Sequence, residues 1–103
     1  MNSPGPAKRE RQLAEAIRLL LPRATLEAHQ QVLAVAQQGH LRHLPAGIAV
    51  WQAATTVARH EYTDYDQLLA DGYEPDAARY FVLEEINEQL EAWGCLRRIG
   101  NEE

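Results

Sequence analysis

Seven consecutive residues hold most of the groups that could do chemistry. His60-Glu61-Tyr62-Thr63-Asp64-Tyr65-Asp66 places a histidine, three carboxylates and two tyrosines side by side. His60, Asp64 and Asp66 are of the types that ligate a divalent cation or share a proton. Their spacing supports this weakly. His60 and Asp64 would share one face of a continuous helix, but a break at Thr63 removes that register. No serine or cysteine nucleophile and no glycine-rich phosphate loop lies nearby.

The same residues also have a structural reading. Thr63 is a suitable N-cap, with Asp66 three positions on as a weak capping box. Asp64 then lies at the positive end of the helix dipole, worth about 0.3–1 kcal/mol. His60 lies at the negative end of the preceding helix. Capping leaves Tyr62 and Tyr65 unexplained, so both are expected as core rings whose hydroxyls bond a buried partner. The structural reading is preferred. The set His60, Tyr62, Thr63, Asp64, Tyr65 and Asp66 remains the candidate functional cluster.

A second group is basic. Lys8, Arg9, Arg11 and Arg18 fall early in the chain, and His40, Arg42 and His43 fall in a short segment that reads as a loop. They are candidate anion or nucleic-acid contacts. Residues 1–60 carry seven Lys and Arg against three acids, a balance of +4. Residues 61–103 carry three arginines against twelve acids, a balance of −9, which gives the net charge of −5. A net acidic chain repels phosphate, so nucleic acid is not the favoured partner. Attraction between the halves, or head-to-tail pairing of two molecules, is the simpler reading of this asymmetry. His29 sits between Leu26 and Leu33 and reads as a core or boundary residue.

The elements that must position these groups are helical. Leu13, Ile17, Leu20 and Leu21 define one helix face, ended by Pro22. Thr25 caps a second helix with a stripe of Leu26, Leu33 and Ala36, and Gly39 ends it. A third helix, Ala46 to His60, is apolar on two faces: Ile48, Trp51, Thr55 and Ala58 on one, Val50, Ala54 and Val57 on the other. That marks it as the central element. A short helix runs from Asp64 to Asp71, closed by Gly72. A long one runs from Pro75 to Trp93, closed by Gly94, with Arg97 and Arg98 suited to its negative end. The expected fold is an all-α single bundle of about five helices over residues 7–96. Residues 1–6 are expected as a disordered leader and 97–103 as a polar tail.

The run from Ala58 to Leu69, followed by Gly72, the pair Ala78-Arg79 and a helix ending at Trp93, resembles a family of uncharacterised bacterial and fungal proteins, domain-of-unknown-function family 2293. Its recurring pattern is R-H-x-Y-T-x-Y-D-x-L-L, a glycine, an Ala-Arg pair and a C-terminal tryptophan. The resemblance covers residues 58–93 most specifically. The family's early loop is richer in glycine and arginine than Gly39 to Leu44 here. The resemblance implies an intracellular α-helical module and supplies no catalytic residue.

Other classes are excluded or disfavoured. The apolar runs are far short of the roughly 20 residues that cross a membrane, and the first residues lack the apolar core of a secretory signal. Cys95 is the single cysteine, so no intrachain disulfide forms and a reduced, cytoplasmic setting is expected. Neither a metal nor another cofactor is expected. The function expected is that of a small helical binding module acting on an unidentified protein partner or on itself. The alternatives are nucleic-acid binding through the basic half, and an enzyme or metal-binding protein centred on His60, Asp64 and Asp66.

Overall fold

The third helical segment is the hub, as its two apolar faces imply. The computed structural model describes residues 4–100. In chain order it places α1 (Pro4–Leu20), α2 (Leu26–Ala36), a 3-10 helix (Gly39–His43), α3 (Ala46–Tyr62), α4 (Tyr65–Ala70), α5 (Pro75–Phe81) and α6 (Leu83–Ala92). Helices α1, α2, α4 and α6 all pack on α3. The described residues contain no strand. Among the described residues the architecture is all-α, with six α-helices where about five were expected.

The face of α3 that is buried is narrower than its sequence suggests. Ala49, Val50, Ala53, Ala54, Val57 and Ala58 are buried, while Ile48 is exposed and Trp51 is half-buried. The alanines end at Cβ, so neighbouring helices approach α3 closely. Leu13, Ile17, Val32, Ile86 and Leu90 belong to the same core. On α2 the core positions are Ala28, Val32 and Ala36, and Leu26 is exposed. Thr25 caps α2 as expected, its hydroxyl accepting from the Ala28 N–H at 3.0 Å.

Several boundaries differ from expectation. α1 begins at Pro4 instead of near Ala7; prolines fit a first helical turn, whose N–H groups have no partner to lose. The rest of the expected leader, residues 1–3, and residues 101–103 of the expected tail lie outside the described residues. The expected basic loop is the 3-10 helix Gly39–His43. The long C-terminal helix divides at Val82, whose backbone leaves helical geometry at φ −103°, ψ 8°. Ala78, Val82, Ile86 and Leu90 are all buried. A four-residue spacing drifts by roughly 40° per step around a straight helix, and the break resets this drift between α5 and α6.

Two helix ends close in the same way. After α4, Tyr73 N–H donates to Leu68 C=O and Gly72 N–H to Leu69 C=O, both at 3.0 Å. After α6, Cys95 N–H donates to Leu90 C=O and Gly94 N–H to Glu91 C=O, both at 2.9 Å. These are Schellman closures, which require a left-handed residue; Gly72 and Gly94 have φ of 101° and 88°. Gly94 is constrained further. A Cβ there would lie 2.9 Å from Pro22 Cγ, because the α6 end docks on the α1–α2 turn, where Arg23 N–H donates to Trp93 C=O at 2.8 Å.

The first residues of the expected polar tail, 97–100, are held in place. The buried Asn87 amide donates to Ile99 C=O at 3.0 Å and accepts from Ile99 N–H at 2.8 Å. Arg97 leaves the α6 terminus and lies 4.0 Å over the Trp51 ring. Arg98 pairs with Glu84 at 3.8 Å.

Gly94→Ala is expected to lower stability by about 1–3 kcal/mol through the left-handed backbone alone, with the Pro22 contact adding to the loss. Gly47→Ala, in α3 with open space around its Cβ position, is expected to raise stability by about 0.4–1 kcal/mol. Urea melts of both variants against the parent check the opposite signs.

Candidate functional site

The junction between α3 and α4 is organised by one hydroxyl. Thr63 Oγ1 donates to Arg59 C=O at 2.5 Å and accepts from Tyr65 N–H at 3.1 Å. It thus satisfies one orphan carbonyl at the end of α3 and one orphan N–H at the start of α4. The N-cap position of α4 falls on Asp64, whose side chain makes no capping bond. Thr63 therefore caps from one position further out than expected.

Asp66 does not complete a capping box. Its Oδ1 accepts from His60 Nδ1 at 2.7 Å across the junction. The His60 ring meets the Tyr65 ring edge-on, with centroids 5.2 Å apart. The Arg59 guanidinium lies 5.3 Å from the centre of the same Tyr65 ring. Tyr65 is buried as expected. No hydrogen bond from its hydroxyl is present among the described residues, so a buried hydroxyl partner is not what holds it; ring packing is.

Tyr62 points elsewhere. Its hydroxyl donates to Gln31 Oε1 at 3.0 Å and its ring packs edge-on against Trp93 at 5.3 Å. It is exposed, contrary to the expected core position. Partial burial, with the nearby charges of Glu27 and Glu61, pushes its hydroxyl pKa above the ordinary tyrosine value. Asp64 is exposed and outside the contacts that join the others. The sequence cluster thus divides. His60, Thr63, Tyr65 and Asp66 come together, while Tyr62 faces α2 and Asp64 stands apart. Among the described residues no three His, Cys, Asp or Glu side chains gather as a metal site.

The structure adds two residues absent from the candidate set. Arg59, from the end of α3, and Arg79, from α5, line one groove of about 490 Å³, together with Asp76, Tyr80, Leu83, Ile86, Ile99 and Gly100. Arg79 pairs with Asp76 three residues earlier. Arg59 makes no ion pair among the described residues, and its Nε is buried without a hydrogen-bond partner. Burial lowers the Arg59 pKa, and the charge of Arg79 adds to this; Tyr65 and Asp66 oppose it. One signal could have found both residues: each stands in the stretch on which the family resemblance rests, Arg59-His60 and Ala78-Arg79.

The basic candidates do not form one free surface. Arg9 Nη2 donates to Leu44 C=O at 2.5 Å and reaches Leu41 C=O at 3.5 Å, which ties α1 to the 3-10 helix. Arg18 pairs with Glu15 at 2.7 Å. Arg42 reaches the Gly39 carbonyl at 3.4 Å. Lys8, Arg11, His40 and His43 are exposed. Of the ion pairs among the described residues, only His60–Asp66 joins the basic half to the acidic half. Direct pairing therefore does not use up the charge asymmetry.

The family described as "Uncharacterized conserved protein (DUF2293)" matches residues 16–94. That span holds Arg59, Thr63, Arg79 and Trp93, and leaves Lys8, Arg9 and Arg11 outside. Neither the curated proteins nor the solved structures contain a match to the chain.

Thr63→Ala is expected to cost about 0.5–2 kcal/mol, and Thr63→Ser to restore most of it. Asp64→Asn is expected to stay within about 0.5 kcal/mol of the parent. Urea melts read these changes. Alkaline titration tests Tyr62. A raised pKa in the folded chain gives stability that is complete below the unfolded value near 10 and lost as pH rises through the folded value. Tyr62→Phe should therefore make the loss of thermal stability above pH 10 less steep than in the parent.

Proposed function

The chain belongs to the uncharacterised conserved family DUF2293, and we propose that this member is a helical protein-binding module that meets its partner through the face around α5. One observation carries this. Tyr73, Tyr80 and Phe81 are 45%, 65% and 58% exposed yet pack against one another, with Tyr73–Phe81 and Tyr80–Phe81 centroids 5.5 and 6.1 Å apart. Three large rings held together in water leave apolar area that a partner would cover. Tyrosine, phenylalanine and arginine are the types that concentrate in protein interfaces, and Arg79 lies on the same short helix. The Schellman closure at Gly72 sets the position of Tyr73, and Val82 turns inward directly after Phe81. The patch is thus displayed by the fold.

Nucleic acid is less well supported. The patch lies in the half with a balance of −9, and two of the early arginines are engaged internally. The test is cross-linking in native cells with the parent, a Tyr80→Ser/Phe81→Ser double variant and a Lys8→Gln/Arg11→Gln variant. The expected result is a defined cross-linked protein lost only from the aromatic variant, with the circular dichroism of all three unchanged. Identical cross-links from all three would overturn the proposal. So would salt-dependent saturation by a mixed oligonucleotide.

A further inference from the structure

We propose that the groove between Arg59 and Arg79 is a recognition pocket for a peptide carboxylate flanked by an apolar side chain. The inference rests on the protein-binding reading above and gives the partner's chemistry. The two guanidinium groups come from residues twenty positions apart, on α3 and α5, and line one depression. Asp76 answers only one of them. The groove's own charges, Arg59, Arg79 and Asp76, leave a balance of +1, on a chain whose net charge is −5.

Arg59 is the residue that most needs a partner. Its guanidinium is half-buried against Tyr65, and its Nε has no acceptor among the described residues. A charge drawn from water without a partner is costly, and an arriving anion relieves that cost. The balance of +1 matches a carboxylate monoanion better than a phosphate dianion. The rest of the lining includes the aliphatic side chains of Leu83, Ile86 and Ile99. The two Asn87 bonds fix the Ile99 backbone, so this part of the lining is pre-formed. Tyr80 belongs to both the groove and the exposed aromatic patch. One extended peptide can therefore cover the aromatics and place a carboxylate on the arginines. A fork-shaped guanidinium suits a carboxylate in two-point contact.

The test is a nuclear magnetic resonance titration of the full chain, labelled with nitrogen-15, that follows arginine Nε–H signals. Three probes are used: acetyl-Leu-Glu-Leu-amide, its acetyl-Leu-Gln-Leu-amide counterpart, and inorganic phosphate. The expected result is a saturable shift of the Arg59 and Arg79 signals with the Glu peptide and none with the Gln peptide. Arg79→Gln, at an exposed position, is expected to weaken the Glu peptide about tenfold. Arg59→Lys keeps the charge but loses the fork and is expected to weaken it as well. Equal shifts from both peptides, or a stronger saturable response to phosphate, would overturn the carboxylate assignment. Loss of the groove response together with retained dependence of the cellular cross-link on Tyr80 and Phe81 would overturn this inference alone. The reverse pattern would overturn the α5-face reading instead.

Discussion

The absence of side-chain bulk on the inner face of α3 governs the rest of the structure. Ala49, Ala53, Ala54 and Ala58 are fully buried, and an alanine buries its Cβ without losing rotamer entropy. Three helices can then pack on one, since α1, α2 and α6 each bring their larger side chains to a surface that offers almost none. A bulkier residue at any of these positions would overpack the core, at about 1–3 kcal/mol. The same constraint fixes which residues face outward at the end of α3. With Ala58 turned inward, Arg59 and His60 follow at the rim, where α4 begins.

The junction at Thr63 converts that register into a site. A single hydroxyl holds the last turn of α3 and the first turn of α4 in one geometry. His60 can then reach Asp66, and Tyr65 lies between His60 and Arg59. The His60–Asp66 contact is exposed, so its direct contribution is small, on the order of 0–1 kcal/mol. Its larger effect is to keep the Tyr65 ring and the Arg59 stem in fixed relation. Arg59 is thereby held in a half-buried position where its charge is incompletely answered.

Charge distribution acquires meaning only on this frame. The groove charges Arg59, Arg79 and Asp76 sum to +1, and Tyr80 joins the groove to the exposed rings of Tyr73 and Phe81. A basic patch on a basic protein attracts anions of every kind. A groove of balance +1 on a chain of net charge −5 favours a single carboxylate over a polyanion, which the net charge repels. A short carboxylate-bearing segment is not repelled to the same degree. In the proposed reading, the aromatic rings supply apolar area to hold such a segment and the groove supplies orientation.

How much was legible beforehand differs by level. Sequence alone determined the helical class, the central role of α3, the Thr25 cap, and the glycine closures at Gly72 and Gly94. These follow from periodicity, capping and left-handed backbone, which act within a few residues. The tertiary structure alone decided that Asp66 serves His60 instead of a capping box, that Tyr62 turns outward to Gln31 and Trp93, and that the last long helix breaks at Val82. It alone brought Arg59 and Arg79 to one groove, and returned Arg97 and Ile99 to the body of the bundle. Each of these depends on which faces of distant helices meet. That is set by the fit of side chains across a shared core, and no local spacing in the chain encodes it.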